Sequence, residues 1–467
     1  MSKALKVIGE SPETFMIDPG DIEDTIIEVE DMPLPAYKRY RLDCEDVEDY
    51  LSEVQYNSFC NIIRSSVICA DKLISALAPE ELAQHLENKS IESLFDAGSE
   101  SSNLMVVIDS HSNFFYPDSQ RTIDQKKAAD RLSEKEGIAA LCGAAGCGKT
   151  KIAIEWARRC EAKKLFWIVP RVSVGQGILY ELSSEDYLPG CKVELYTGEY
   201  KLTRFAGEEV VTPEGEQLTG DVIITTIDQL VNAISTHSHI HLFTDFMLSH
   251  AVFDEFHEFT NMDGFNLLFA EIMHAKSGIG ERATSLLVSA TPNYVFCEEL
   301  LGIDPSDFVE MRASNDKDYA IQFEDFNEQT PLSNHPLYRP VPAKSMVISN
   351  TATRAQKSFL ENYDEPGSIL FHSKMGAKDR QTVFGKVFNS FRKNGSWEYT
   401  ILRSAPIVQA SLNITCFNMI TEATSPENML QRLGRLDRFG ESESLNVLTV
   451  AIPESIVKNK IVDNEAR

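Results

Sequence analysis

The chain of 467 residues is 43% hydrophobic and 25% charged, which is typical of a globular protein and excludes a disordered or fibrous one. At this length, two or three domains are expected. The formal net charge is −27, and residues 1–100 hold about half of the excess, with 22 Asp and Glu against 8 Lys and Arg. This acidity is not the basic footprint usual in nucleic-acid binders. Such a segment is most often a solvated face and less often a protein-docking surface.

The sequence shows no targeting signal, and this absence, together with the cysteine spacing, predicts a cytoplasmic protein that does not contact a membrane. No apolar run reaches the roughly 18 residues that span a bilayer, and the first residues, MSKALKVIGESPETF, have no signal-peptide core. The nine cysteines contain no C-x-x-C pair, which argues against a zinc ribbon and a disulfide framework. We therefore expect reduced thiols and a cytoplasmic location.

The first part of the chain predicts helices, and the part after it predicts a sheet. Apolar residues recur at spacings of three and four between residues 47 and 98, so residues 1–102 are predicted to be an acidic, mainly helical region. Short apolar runs then alternate with helical stretches through residue 310, a pattern that favours a parallel sheet wrapped by helices. The strand-like runs are LMVVI, IAALC, LFWIV, DVIITT, AVF and SLLVSAT.

A second α/β block follows a connecting segment. Residues 311–343 are irregular and contain several prolines, so they are predicted to be a linker. Residues 344–467 then carry the strand-like runs SMVIS, SILFH, YTILR and SLNVLTVAI. The two blocks could be two copies of one fold. The predicted fold class is therefore α/β, with parallel-sheet domains at residues 103–310 and 344–467.

The segment GAAGCGKT, Gly143–Thr150, fits the phosphate-binding pattern G-x-x-x-x-G-K-T at every fixed position. It follows a predicted strand and opens a predicted helix, which makes a chance match less plausible. The glycines of this segment, which let backbone N–H groups turn towards a phosphate, are Gly143, Gly146 and Gly148. Lys149 is predicted to neutralise β- and γ-phosphate oxygens, and Thr150 to bind Mg²⁺.

The segment AVFDEFHEF, Ala251–Phe259, has three possible interpretations: a metal cage, an acid/base pair, or part of an ATPase. The helical zinc pattern H-E-x-x-H is absent from it, which disfavours the cage. Given the phosphate-binding loop, Asp254 is predicted to hold Mg²⁺ through water and Glu255 to act as the general base on the attacking water. A charge-rich surface loop is the alternative, and Glu258 is expected to be structural.

The order of these motifs resembles that of superfamily 2 DExH helicases, whose core is two RecA-like domains with ATP in the cleft between them. The resemblance implies that Gln125, in QRTIDQKKAADRL, reads adenine, with Gln120 in reserve. VPRVSVGQG, YTGE, ITTIDQL and LFHSKMGAKDR are similar to family segments that grip one nucleic-acid strand. These segments, together with motif V in the segment SAPIVQASLNI, imply a set of contacts with single-stranded DNA. The residues of this set are Arg171, Ser173, Thr197, Thr226, Ser373 and Ser404.

Two further motifs are implied to link ATP hydrolysis to movement. SAT, Ser289 to Thr291, resembles motif III, which couples hydrolysis to domain motion, and His257 would connect to it. QRLGRLDR fits the family pattern Q-R-x-G-R-x-x-R. It implies that Gln431 sits beside the γ-phosphate and that Arg435 and Arg438 stabilise the transferring phosphoryl group. An arginine cluster on a solvated helix face is the alternative.

Within superfamily 2, the residues of four segments narrow the resemblance to one family. PRVSVGQG, TTIDQL, FHSKMGAKDR and SAPIVQASLNI are similar to the CRISPR-associated helicase-nuclease of type I interference systems. This implies antiviral defence by an ATP- and Mg²⁺-dependent motor on single-stranded DNA, recruited by a crRNA-guided surveillance complex. Two alternatives are a superfamily 2 helicase of DNA repair or RNA metabolism, and a nucleotide-binding scaffold with little ATP turnover.

Motif V departs from the family pattern S-L-D-x-D. SLNIT places Asn413 and Thr415 at the two aspartate positions, and Gln409 stands where Glu is common. These changes keep hydrogen bonding but remove charge, so we expect altered coupling between ATP and DNA and slow or unusually regulated turnover, without a necessary loss of hydrolysis.

A complete HD nuclease is also not apparent in the sequence. The only histidines in residues 1–140 are His85 and His111, and neither is followed by Asp. Asp71 could match the last ligand of an HD domain, or it could be an ordinary exposed residue. We therefore expect nuclease activity to be absent from this chain or to be supplied by a separate HD subunit. The sequence also stops 29 residues after Arg438, where the family normally continues into a C-terminal domain, so a truncated or split form is a further alternative.

Overall fold

The structure, a computed structural model, describes residues 47–90, 103–115, 119–144, 146–214, 217–236, 240–260, 265–278, 284–313, 315, 317–327, 329–408 and 413–454. Most of the predicted acidic N-terminal region, residues 1–46 and 91–102, lies outside these ranges, as does Gln409. The described residues form two compact units, one built on a nine-stranded sheet and the other on a six-stranded sheet.

The nine-stranded sheet has a parallel centre and an antiparallel edge. Its strands are β1 Ile138–Gly143, β2 Leu165–Val169, β3 Val193–Tyr196, β4 Lys201–Phe205, β5 Glu208–Val211, β6 Val222–Thr226, β7 His250–Asp254, β8 Ser285–Ser289 and β9 Val309–Met311. Their order is β5-β4-β3-β6-β2-β7-β8-β1-β9. The strands from β3 to β1 in this order pair in parallel, whereas β3, β4 and β5 pair antiparallel.

The described helices of this unit extend from the N-terminal region to the end of the first α/β block. They are α1 Val47–Ala76, α2 Pro79–Glu87, α3 Leu104–Phe115, α4 Gln120–Ser133, α5 Lys149–Arg159, α6 Val172–Leu182, α7 Ile227–Thr236, α8 Ile240–Leu248, α9 His257–Thr260, α10 Phe265–Ser277 and α11 Tyr294–Leu301. Within the described ranges, no helix combines the length and the apolar character that crossing a bilayer requires.

The central strands are buried along their whole length, as expected where a parallel sheet is covered on both faces. Aromatic side chains fill the core beneath them. Phe246 meets both Phe166 and Phe253 edge to face, with ring centroids 5.8 and 6.0 Å apart, and Phe269 continues the cluster at 5.4 Å from Phe253. This packing fixes the strand ends that carry the predicted site residues.

The run LMVVI was predicted to be a strand, and this prediction is wrong because these residues open helix α3. Leu104, Val107 and Ile108 are buried, whereas Val106 is 68% exposed. Burial at intervals of three and four residues is the period of a helix rather than of a strand. A five-residue apolar run is too short for its composition alone to separate the two.

Helix α1 confirms the helical prediction for its residues but buries the face that the sequence makes polar. Ser58 donates a hydrogen bond to the carbonyl of Glu271 on α10 at 2.9 Å, and the Asn61 amide donates to the buried Glu271 carboxylate. Phe59 and Val67, by contrast, are 62% and 63% exposed. The helix is therefore held against α10 by hydrogen bonds as well as by apolar contacts.

The six-stranded sheet of the second unit is parallel throughout. Its strands are β10 Tyr319–Phe326, β11 Ser345–Ile348, β12 Ser368–Phe371, β13 Ile401–Ser404, β14 Asn418–Glu422 and β15 Asn446–Pro453, in the order β10-β15-β14-β11-β13-β12. Its helices are α12 Ala352–Leu360, α13 Ala377–Phe391 and α14 Pro426–Leu433.

Strand β10 corrects the expectation that residues 311–343 form an irregular linker. It pairs in parallel with all eight residues of β15, from Tyr319 opposite Asn446 to Phe326 opposite Pro453. Most of β10 is exposed or only partly buried, so its sequence, YAIQFEDF, lacks the apolar run of a central strand. An edge strand can tolerate such polarity because one flank and part of one face remain in water.

A buried ion pair stabilises the second unit. Arg403, on β13, has a fully buried side chain, and its Nη2 donates to Glu365 Oε2 at 2.8 Å. The guanidinium also donates to Ser358 Oγ at 2.8 Å and to the Leu337 and Arg339 carbonyls at 3.3 and 3.2 Å. These partners satisfy a charge that would otherwise be costly to bury.

Candidate nucleotide site and nucleic-acid surface

Five neighbouring parallel strands bring predicted site residues to one edge of the first sheet. In spatial order, β6 ends at Thr226, β2 ends two residues before Arg171, β7 ends at Asp254, β8 ends at Ser289 and β1 ends at Gly143. Ligands of open α/β sheets bind at this carboxyl edge, where loops leave the strands. Residues predicted from separate sequence segments are therefore collected on one side of the unit.

The loop after β1 has the backbone geometry that a phosphate cradle needs. Gly146 and Gly148 adopt φ angles of +79° and +90°, which L side chains rarely adopt. A Cβ atom at Gly143 would lie 2.9 Å from Cys147 Sγ and 2.9 Å from Lys149 Cγ. All three predicted glycine positions are thus sensitive to a side chain, either through φ or through close contact.

Lys149 is the first residue of α5 and Thr150 the second, which places both at the positive end of the helix. Farther along α5, the buried Glu155 accepts a 2.8 Å hydrogen bond from Arg158 and a second one from Arg159. Burial raises the pKa of Glu155, but the two arginines outweigh this effect, and the net pKa is lowered. The carboxylate therefore stays charged and anchors the helix that carries the phosphate-binding lysine.

The two candidates for adenine recognition differ in their surroundings. Gln125, in the middle of α4, is only 3% exposed, whereas Gln120 is an exposed residue that donates to Asp124 at 2.9 Å. Arg159 on α5 also contacts Asp130 on α4, which joins this helix to the phosphate-binding element. A buried amide has a fixed orientation, which favours Gln125 over Gln120.

Asp254 and Glu255 stand at the end of β7, and each is less than 8% exposed. Asp254 lies opposite Val288 in the register with β8. Glu255 adopts a φ of +51°, in the left-handed region that non-glycine residues avoid. Such strain, on the order of 1 to 3 kcal/mol, is a feature of functional sites because it aims a side chain where a regular strand would not.

The residues predicted to hold Mg²⁺ fit that ion. Asp254 contributes a buried carboxylate and Thr150 a hydroxyl, and both are hard oxygen ligands of the kind Mg²⁺ prefers. Mg²⁺ keeps several waters and uses few protein ligands, so a two-residue set with phosphate oxygens suffices. Elsewhere in the described ranges, no group of three or more His, Cys, Asp or Glu side chains could hold a metal ion, and Asp71 is exposed on α1.

The three residues predicted to couple hydrolysis to movement are connected by hydrogen bonds. His257 Nδ1 lies 2.9 Å from Ser289 Oγ and 3.5 Å from Glu255 Oε2. The backbone N–H of Thr291 donates to the same Ser289 hydroxyl at 2.9 Å. His257 therefore contacts both the predicted general base and the end of β8, which sequence alone could not establish.

The predicted DNA contacts divide into accessible and enclosed side chains. Arg171 and Ser373 are exposed and Ser173 is half-buried, as a surface contact requires. Thr197 Oγ1 is enclosed in a turn, where it accepts from the Tyr200 N–H at 2.9 Å, and Ser404 Oγ donates to the Phe371 carbonyl at 2.8 Å.

Thr226 is also buried, at 3% exposure. The side chains of these enclosed residues are used inside the fold, so any contribution from them to a nucleic-acid surface would come from the neighbouring backbone. Glu258, which the sequence led us to expect as a structural residue, forms an ion pair that was not predicted: its Oε2 lies 2.7 Å from Arg171 Nη2. Its place in the sequence, directly after His257, gave no signal for a pairing with Arg171.

In the second unit, the arginines of the segment QRLGRLDR have different environments, and Arg432 is used inside the fold. Arg432 is buried, and burial lowers its pKa to about 10. It donates to Thr421 Oγ1 and to Asn350 Oδ1, at 2.8 and 2.9 Å. Gln431 is half-buried on α14, and Arg435 is 4% exposed, with Nε 3.4 Å from the Val408 carbonyl.

The motif V departures contact Arg438 directly. Arg438 Nη2 donates to Asn413 Oδ1 at 2.6 Å, and the Arg438 backbone N–H donates to Thr415 Oγ1 at 3.1 Å. An amide oxygen orients the guanidinium without neutralising it, whereas a carboxylate at position 413 would form an ion pair. The substitution of Asn for Asp therefore preserves a contact and changes its charge.

Two family models match separate parts of the chain. The model for the type III restriction enzyme, res subunit, matches residues 118–294, and the model for the CRISPR-associated nuclease/helicase Cas3, C-terminal, matches residues 342–441. The CRISPR-associated nuclease/helicase Cas3 of Methanothermobacter thermautotrophicus is 21% identical over 328 residues, which are 65% of this chain and 38% of that protein.

Solved structures show the same fold. The ATP complex of T. fusca Cas3 superposes with a TM-score of 0.57 and 15% identity, covering 88% of this chain and 56% of that chain. A chain of a CRISPR RNA-guided surveillance complex, in the pre-nicking state, gives a TM-score of 0.54 and 17% identity, over 85% of this chain and 52% of that one. The predicted fold class, with two RecA-like domains, is confirmed. The chain spans about two fifths of its curated relative and just over half of the solved ones.

Proposed function

We propose that this chain is a Cas3-like superfamily 2 helicase and acts as an ATP-driven motor on single-stranded DNA in type I CRISPR interference. The observation that carries the proposal is the shared sheet edge. The phosphate-binding loop after β1, the carboxylates after β7 and the Ser289 hydroxyl after β8 occupy neighbouring strand ends. A nucleotide bound at that edge would be sensed by the same residues that carry the coupling contacts.

In the proposed reaction, the loop N–H groups and Lys149 bind the β- and γ-phosphates of ATP. Thr150 and Asp254 hold Mg²⁺, which screens the phosphate charge when it is bound. Glu255 accepts a proton from the attacking water. We assign Gln431 to the γ-phosphate, and Arg435 and Arg438 to the charge that develops on the transferring phosphoryl group.

DNA binding and recruitment complete the proposal. We assign Arg171, Ser173 and Ser373 to phosphate contacts, which position a strand without reading its sequence. We further propose a cytoplasmic protein recruited by a crRNA-guided surveillance complex, with nuclease activity supplied by a separate HD subunit. The likeness to a chain in a surveillance complex supports the first of these partners.

The test is ATP hydrolysis with and without single-stranded DNA, for wild type and for Lys149→Ala and Glu255→Gln. We expect DNA to stimulate wild-type turnover, and each substitution to reduce it by about a hundredfold or more, as for other residues that act on the reacting groups. Glu255→Gln should still bind ATP, because it removes the base and leaves the phosphate cradle. Equal turnover of wild type and variants in every nucleic acid would overturn the motor, and stimulation by RNA alone would indicate an RNA helicase.

A second candidate, a nucleotide-binding scaffold with little turnover, is favoured by the Asn413 contact to Arg438. Tight ATP binding with negligible hydrolysis, even when a target-bound crRNA complex is supplied, would support the scaffold and exclude the motor.

A further inference from the structure

Glu258 forms an ion pair with a residue assigned to DNA. Arg171, which precedes α6, has a side chain that is 47% exposed, and its Nη2 lies 2.7 Å from Glu258 Oε2. The Glu258 side chain is only 15% exposed. The arginine is therefore at the surface, whereas its partner is set into the protein.

The position of Glu258 depends on the backbone of the DExH segment. The Glu258 N–H donates to the Glu255 carbonyl at 3.0 Å, so the turn that gives Glu255 its φ of +51° also places Glu258. On either side of Glu258, His257 is 4% exposed and Phe259 is fully buried. The backbone of Glu258 is therefore held in place by its neighbours, and a movement of the Glu255 turn would also move the Glu258 carboxylate.

The strength of the pair suits exchange rather than permanent structure. An exposed arginine paired with a carboxylate gains little from the pair, because water and salt screen it. A DNA phosphate offers the same guanidinium a bidentate anionic partner. The Glu258 carboxylate and a DNA phosphate would therefore compete for the Arg171 guanidinium.

We infer that Glu258 is a positioning residue that competes with DNA phosphate for Arg171 and so links DNA affinity to the conformation of the Glu255 turn. This inference rests on the proposed function and specifies how the nucleotide site regulates the DNA surface. Coupling of this kind is reciprocal: a nucleotide that shifts the Glu255 turn changes DNA affinity, and DNA that captures Arg171 changes nucleotide affinity by the same factor.

The test measures binding of a fluorescein-labelled oligo-dT strand by anisotropy, first without nucleotide and then with a non-hydrolysable ATP analogue. Glu258→Gln should tighten nucleotide-free binding by about three- to fivefold, the range expected for an ion pair whose arginine is half exposed to water. One additional phosphate contact should also steepen the dependence of log K on log salt by about 0.7. A residue with a merely structural role would not change this slope.

The matched control is Asp307→Asn, which makes the same change in net charge and breaks an exposed pair with Lys135. It should leave DNA affinity and slope close to wild type. Arg171→Gln should weaken binding, and in that background Glu258→Gln should have no further effect. The inference is overturned if Glu258→Gln behaves like Asp307→Asn, or if it tightens binding equally without Arg171. Absence of DNA binding by the wild type would instead overturn the proposed function.

Discussion

Replacing Glu365 with Gln should leave the Arg403 guanidinium buried in the second unit without a counter-charge. The Arg403 side chain is fully buried and that of Glu365 is 12% exposed, so water cannot take the place of the carboxylate. The Ser358 hydroxyl and the two carbonyls that accept from Arg403 are neutral. Removing one partner of a buried ion pair typically costs about 3 to 5 kcal/mol, and we expect about 3 kcal/mol because the Gln oxygen still accepts a hydrogen bond.

Arg403→Met should cost a similar amount, because it leaves the buried Glu365 carboxylate without its counter-charge and the Arg339 carbonyl without the Arg403 donor. The Glu365 carboxylate and the Leu337 carbonyl keep hydrogen bonds from the Val341 N–H and the Ser358 hydroxyl. The double variant Arg403→Met/Glu365→Gln should cost at least about 2 kcal/mol less than the sum of the single variants, since neither charge then remains buried. Glu324→Gln is the matched control. It breaks a 2.8 Å pair with Arg339 in which both side chains are 31% exposed, and should cost less than about 1 kcal/mol.

The assay is amide hydrogen exchange followed by mass spectrometry, which reports the free energy of opening for each region. A cost of 3 kcal/mol corresponds to a loss of protection of roughly a hundredfold in β11 and β13. Peptides from β2 and β7 should be unchanged, which provides an internal control. The reasoning would be refuted by additive costs in the double variant, or by Glu365→Gln costing no more than Glu324→Gln.

Gly148→Ala should reduce ATP affinity at least about tenfold in a fluorescent-nucleotide titration, because Gly148 has a φ of +90° that alanine adopts only with strain; unchanged affinity would contradict the cradle. Burial and then Lys276 lower the pKa of His250 to about 4. His250 is thus neutral when folded, and the unfolded chain binds the extra proton below pH 6.5. The contribution of His250 to the unfolding free energy should fall by about 1.3 kcal/mol between pH 7.5 and 5.5, and urea unfolding of His250→Gln should lack that share. Ser289→Ala should keep ATP turnover within about threefold but lower strand unwinding about tenfold, because it removes the contact to His257; a parallel loss of both would refute a coupling role.

The sequence predicted the features that local pattern determines. GAAGCGKT fixed the loop between a strand and a helix, and the aspartate after AVF was correctly expected at a strand end. Both depend on short segments whose chemistry has few alternatives. The prediction of two α/β blocks was also confirmed, because buried parallel strands are recognisable in a sequence as continuous apolar runs.

The features that sequence missed depend on contacts between distant residues. Glu258 has no local signal for its pairing with Arg171, which lies 87 positions earlier. Asn61 and Ser58 look like a solvated helix face until α10 supplies Glu271 as their partner. Strand β10 likewise exists because β15 pairs with it, although its own pattern is too polar to predict a central strand.

Helix α1 also determines where the chain can be shortened. Val54 belongs to the same apolar cluster as Phe269 and Met273, with Tyr50 and Ile62 packed against it. A truncated protein starting at residue 77 would expose that cluster to water and remove the amide that pairs with the Glu271 carboxylate. Helix α1 precedes every predicted motif, so deleting it would remove no predicted site residue. The exposed apolar cluster would nevertheless lower the solubility of the protein. A shortened chain that keeps this packing therefore has to begin on the N-terminal side of Val47.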